Sequence, residues 1–67
     1  MLTGKRFRLK KESLAIEGRK AITIPEGQVI QVLSGPRPND MRMLDVTWDG
    51  RTFVMFAIDI QERGEEV

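Results

Sequence analysis

Residues able to do covalent or acid–base chemistry are few in this chain. It has no cysteine and no histidine. Thiol nucleophiles, imidazole bases and the zinc-ribbon and zinc-finger ligand sets are therefore excluded. The candidate carboxylates Asp45, Asp49 and Asp59 stand apart from one another. Nothing near them in sequence would move a carboxyl toward neutral pH. No Asp/Glu run has the spacing of a calcium loop. There is no Ser–His pair and no Gly-rich phosphate loop. The expectation is a non-enzymatic protein with no cofactor and no metal.

What remains is binding chemistry, of two kinds. The first is cationic. Lys5-Arg6-Phe7-Arg8-Leu9-Lys10 alternates basic and apolar residues, Lys11 follows, and Arg19 and Lys20 come later. Such a row can hold phosphates, so nucleic-acid binding through Lys5, Arg6, Arg8, Lys10 and Lys11 is the alternative functional expectation. The same row also suits a solvated edge strand, where Lys discourages edge-to-edge pairing. An outer face interleaved with stacking aromatics is missing, because Phe7 alternates inward with Leu9. The net charge is only +1, but it is unevenly spread. Residues 1–24 hold seven Lys/Arg against two Asp/Glu, and residues 25–67 hold four against eight.

The second kind is apolar. Val54, Phe56 and Ile58 fall on alternate positions beside an already apolar strand face, with Met43 opposite them. Contiguous large side chains of this sort, left in water, mark an interaction surface unless another part of the chain covers them. The stretch 13–17 could be that cover. Met41, Met43 and Met55 add adaptable apolar surface. Pro36-Arg37-Pro38 is a candidate specificity loop. A protein partner or homo-oligomer, through Met43, Val54, Phe56 and Ile58, is the leading expectation.

These side chains must be positioned by strands. Met43 to Ile60 reads as two strands joined by Asp49-Gly50, a preferred type I′ hairpin turn whose two central residues need φ > 0. A two-residue loop sets the register, from Trp48 opposite Arg51 to Leu44 opposite Met55. Period-2 alternation then puts Leu44, Val46, Trp48, Phe53, Met55 and Ala57 on one face, the expected core. Asp45, Thr47, Thr52, Val54, Phe56 and Ile58 take the other. Further strands are expected over 5–10, 20–24 and 28–33, with Pro25 ending the second of these. Two prolines and a glycine within 34–40 forbid regular structure there. The stretch 13–17 reads equally as a short strand or an irregular arm. Residues 64–67 lack apolar periodicity and are expected to fray. No window has helical periodicity.

Sixty-seven residues make one domain. With no disulfide available, its core supplies only about 3–5 kcal/mol. No long apolar segment follows Met1, so a soluble cytoplasmic protein of bacterial type is expected, with no membrane span.

From Ala21 onward the chain resembles the Src-homology-3 (SH3) pattern. The resemblance rests on Ala21-Ile22-Thr23-Ile24, the turn Pro25-Glu26-Gly27, the strand Gln28-Val29-Ile30-Gln31-Val32-Leu33, the variable loop 34–40 and the Asp49-Gly50 hairpin. It implies an all-β, five-stranded SH3-like barrel with one short 3₁₀ turn near Phe56–Ile60, spanning 1–67. The chain departs from the peptide-binding members. It has no tyrosine, Ala57 stands where they carry proline, and its one tryptophan, Trp48, lies near the hairpin tip. The resemblance therefore does not carry polyproline recognition with it. A tetrameric enzyme of similar fold, plasmid-borne type II dihydrofolate reductase, has a Val-Gln-Ile-Tyr stretch in the place of Val54-Met55-Phe56-Ala57. Both the Gln and the Tyr are absent here, which leaves that activity a distant alternative.

Overall fold

The computed structural model describes residues 2–67. Seven strands and one helix follow in chain order: β1 (Arg6–Leu9), β2 (Ser13–Glu17), β3 (Lys20–Ile24), β4 (Val29–Ser34), β5 (Met43–Trp48), β6 (Arg51–Phe56), α1 (Ala57–Arg63) and β7 (Gly64–Glu66). All strands belong to one antiparallel sheet of order β3-β2-β6-β5-β4-β1-β7. It is open, with β3 and β7 at its edges. The closed five-stranded SH3-like barrel is thus corrected to an open seven-stranded sheet with one short α-helix. The two strands beyond the expected five are β2 and β7.

The β5–β6 hairpin adopts the expected register, from Met43 opposite Phe56 through Val46 opposite Phe53 to Trp48 opposite Arg51. Asp49 and Gly50 have φ of 53° and 73°, as a type I′ turn requires. The inward face is as the alternation predicts. Leu44, Val46, Phe53 and Met55 are buried, while Trp48 and Ala57 are half-buried against them. Phe7 and Leu9 of β1, Ala15 of β2, Ile24 of β3, and Ile30 and Val32 of β4 complete the sheet's share of the core. Full burial of one such aliphatic or aromatic side chain contributes about 1.5–3 kcal/mol.

Two departures have clear physical causes. The strand ends at Phe56, and Ala57–Arg63 turns into a helix instead of a 3₁₀ turn. Ala, Gln, Glu and Arg are good helix formers, Asp59 sits in the first turn and Arg63 in the last, and both charges suit the helix dipole. A helix rotates about 100° per residue, so Ile58 and Ile60 point to opposite sides. Ile60 is fully buried, whereas Ile58 is 55% exposed. As a strand the two would have shared a face.

Residues 64–66, expected to fray, instead form β7 against β1, with Phe7 opposite Glu66 and Arg8 opposite Glu65. The apolar pattern of β7 is blank, because its stabilisation comes from ladder hydrogen bonds and charge. The Val67 N–H donates to the Arg6 carbonyl at 3.0 Å, and Lys5 Nζ lies 3.6 Å from Glu66 Oε1. The basic and acidic halves of the sequence thus meet along β1 and β7.

The stretch 13–17 resolves as a strand. Ser13 and Ala15 face the core, and the Ser13 hydroxyl donates to the Lys11 carbonyl at 3.2 Å. Gly35 has φ of 135°, and a Cβ there would stand 2.5 Å from a Leu44 methyl carbon. Only glycine lets the 34–42 loop lie this close to β5.

Candidate functional site

β2 on one side of the hairpin and the 34–42 loop with α1 on the other frame an apolar outer surface. Ile16 of β2 is opposite Val54 of β6, and Met43 of β5 is opposite Phe56. Ile16, Val54 and Met43 line a hollow of about 260 Å³ whose rim carries Arg37, Asn39 and Asp40. A second hollow, of about 510 Å³, is lined by Met41, Arg42, Phe56, Ala57, Ile58 and Gln61. A third, of about 250 Å³, reaches from Met41, Ala57 and Gln61 to Leu2, Pro36 and Leu44. The last two hollows share three residues and form one trough beside α1.

The four apolar residues singled out in the sequence are therefore divided. Val54 and Met43 belong to the first hollow, where Met43 is buried and Val54 half-buried. Phe56 and Ile58 belong to the second. Ile58 reaches it from the helix and not from the strand register. The register pair Met43–Phe56 links the two regions. The β2 arm covers only one flank, at Ile16. It leaves Met41 69% and Ile58 55% exposed.

An ion pair stands between the hollows. Arg42 Nε donates to Asp40 Oδ1 at 3.1 Å, and the Arg42 backbone N–H donates to the same oxygen at 3.0 Å. These bonds hold the Asp40 carboxyl below its ordinary range, with the Arg42 side chain the largest cause. Asp40 borders one hollow and Arg42 the other, so the pair fixes the loop that separates them. The Ala57 N–H donates to the Arg42 carbonyl at 2.7 Å, which ties the same loop to the start of α1.

Sequence reasoning raised the stretch 13–17 and the Pro36-Arg37-Pro38 loop beside this surface, and it missed Leu2 and Ala57 as parts of it. Ile16 and Leu14 alternate outward on β2, a pattern readable only once 13–17 is known to be a strand. Leu14 is 43% exposed. Pro36 and Arg37 of the Pro36-Arg37-Pro38 loop border different hollows.

The basic residues take outward positions. Arg6 and Arg8 are exposed on β1, and Lys10 and Lys11 lie past its end. Lys5 is drawn to Glu66, and Arg8 has Glu65 as its cross-strand neighbour. Arg6 lines a shallow hollow of about 460 Å³ with Gln31, Thr47 and Trp48. The Trp48 indole N–H donates to Gln28 Oε1 at 3.1 Å. Asp45 is engaged by the Ser34 hydroxyl at 3.1 Å and by Arg37 at 4.0 Å. Among the described residues no three Asp/Glu side chains gather as a metal site, and no helix is long and apolar enough to cross a membrane.

Comparison of the chain with protein-family models, curated proteins and solved structures gives no match.

Proposed function

We propose that this chain is a non-enzymatic interaction module that docks a partner protein on the trough beside α1 and the adjoining outer face of β6. One observation carries the reading. Exposed Met41 and Ile58 and half-buried Phe56 line a hollow of about 510 Å³ that no other element fills among the described residues. Full burial of an exposed side chain of this kind is worth about 1.5–3 kcal/mol, and covering what remains open on these three supplies a fraction of that from each. That is enough to offset part of the association cost and give weak to moderate binding. The methionine adapts to a partner's shape, and the Arg42–Asp40 pair offers a polar rim. The test is Phe56→Glu in the full chain. The variant is expected to unfold as cooperatively as wild type and to lose partner association. A variant that binds normally would refute the reading.

A second reading, nucleic-acid binding on β1, is favoured by one arrangement. Arg6 and Arg8 are exposed on one face without ion pairs among the described residues, and Arg6 shares a hollow with Gln31, Thr47 and Trp48. Glu65 and Glu66 on the neighbouring strand weigh against it, since they offset the field that would attract phosphates.

A further inference from the structure

The two edges of the sheet differ. β7 is three residues long and carries Glu65 and Glu66, so a copy of itself would bring like charges together. β3 runs for five residues, Lys20–Ile24, and among the described residues its only hydrogen-bonded neighbour is β2. The β2–β3 hairpin closes at Glu17 opposite Lys20 across the two-residue turn Gly18–Arg19. The closing pair of such a hairpin is hydrogen-bonded, and the pattern alternates from there. The backbone groups of Lys20, Ile22 and Ile24 thus point to β2. Those of Ala21 and Thr23 point to the open side.

From this alternation we infer that β3 is a self-complementary edge that pairs antiparallel with β3 of a second copy about a two-fold axis through Ile22. This surface is separate from the trough beside α1. The register follows from the symmetry. Ala21 faces Thr23 of the other copy, and Thr23 faces its Ala21. The open N–H and C=O groups on each edge then form four hydrogen bonds. Ile22 faces Ile22 as the close, non-hydrogen-bonded pair. Ile22 is only half-buried against its own core, and this contact covers what is left.

Charge agrees with the same register. Arg19 and Lys20 lie at one end of β3 and Glu26 lies just past the other. None of the three forms an ion pair among the described residues, and all are exposed. The two-fold sets Lys20 against Ile24 and brings Glu26 beside Arg19 and Lys20, at both ends of the pair. No like charges face each other. Pro25 ends the ladder and so holds the pairing to these five residues, where a longer edge would invite open-ended association. The interface is isologous and closed, and a second copy saturates it.

The test is the solution mass of the full chain by sedimentation over a wide concentration range, with amide hydrogen exchange on the same samples. A monomer–dimer equilibrium is expected, with the Ala21 and Thr23 amides protected only at high concentration. Thr23→Pro removes a donor that faces away from β2, so the variant is expected to keep its fold and stay monomeric. Glu26→Lys is expected to weaken the dimer by about tenfold, and adding Arg19→Glu and Lys20→Glu to restore it. Phe56→Glu is expected to leave this dimer intact, which separates it from docking beside α1. A wild type that stays at 7.7 kDa up to millimolar concentration overturns the inference. So does a dimer whose Ala21 and Thr23 amides exchange at the monomer's rate.

Discussion

Among the described residues, Ile16 of β2 and Val54 of β6 form the one cross-strand pair that joins the β2–β3 hairpin to the central β5–β6 hairpin. This pair covers one flank of the outer apolar surface and stops there. Past it, Phe56 is only half-buried and Ile58 is exposed on α1. The division between a covered flank and an open trough therefore arises where β6 gives way to the helix.

Ile58 provides the cleanest probe of that trough. Its side chain is 55% exposed and faces away from buried Ile60. Ile58→Glu is expected to change stability by no more than about 0.5 kcal/mol, as for other surface sites, while removing partner docking. Urea denaturation and a binding assay on the same sample check both halves. A large stability loss would place Ile58 in the fold and not in an interface.

Phe53 tests the core. It is 1% exposed and packs with Trp48 at 5.9 Å between ring centroids. Phe53→Ala is expected to cost about 3–5 kcal/mol, comparable with the whole stability of a domain this small. Denaturation followed by Trp48 fluorescence reads it out. A loss under about 1 kcal/mol would contradict the inward orientation of this face.

Gly50 tests the turn. Its φ of 73° follows Asp49 at 53°. A β-branched residue resists this conformation, so Gly50→Val is expected to lower the denaturation midpoint. Gly50→Asn, which tolerates positive φ, is expected to be nearly silent. Equal effects from the two would show that the turn does not depend on positive φ.

The Asp40–Arg42 pair gives a pH prediction. The Asp40 carboxyl is held below its ordinary 3.8 mainly by the Arg42 side-chain hydrogen bond. A folded-state value below the unfolded one means the pair's contribution is present above about pH 4 and is lost as pH falls through the lower folded value. Arg42 is exposed and Asp40 partly so, and solvent screening keeps the global effect small. A side-chain NMR titration is expected to give Asp40 a midpoint below that of the Arg42→Gln variant. Identical midpoints would mean the pair does not persist in solution.

The basic strand yields the last prediction. Glu65 stands opposite Arg8, and Glu66 lies 3.6 Å from Lys5. Wild type is expected to bind random single-stranded RNA weakly, with a salt dependence that Arg6→Glu and Arg8→Glu abolish. Glu65→Gln with Glu66→Gln is expected to strengthen it. No binding at low salt by either the wild type or the neutralised form would discard the nucleic-acid reading.

The parts of this protein that were legible in the sequence are those decided locally. Asp49-Gly50 specifies a two-residue turn, the turn specifies the β5–β6 register, and period-2 alternation assigns Leu44, Val46, Phe53 and Met55 to the core. Each step involves residues close in the chain. The tertiary structure decided the rest. The stretch 13–17 pairs with β3 through the local Gly18–Arg19 hairpin, but its place beside β6 depends on Ile16 meeting Val54, a long-range pairing with no local signal. Whether 64–66 is ordered depends on the distant basic strand β1, whose charges its glutamates offset. The helix Ala57–Arg63 is too short for periodicity to announce. It forms because its start is tied to the Arg42 carbonyl and Ile60 fills the core. That turn from strand to helix moved Ile58 off the β6 face and into the trough. Alternation could identify Val54, Phe56 and Ile58 as surplus apolar residues. It could not place them, because their surroundings are supplied by β2, the 34–42 loop and α1, which tertiary packing brings together.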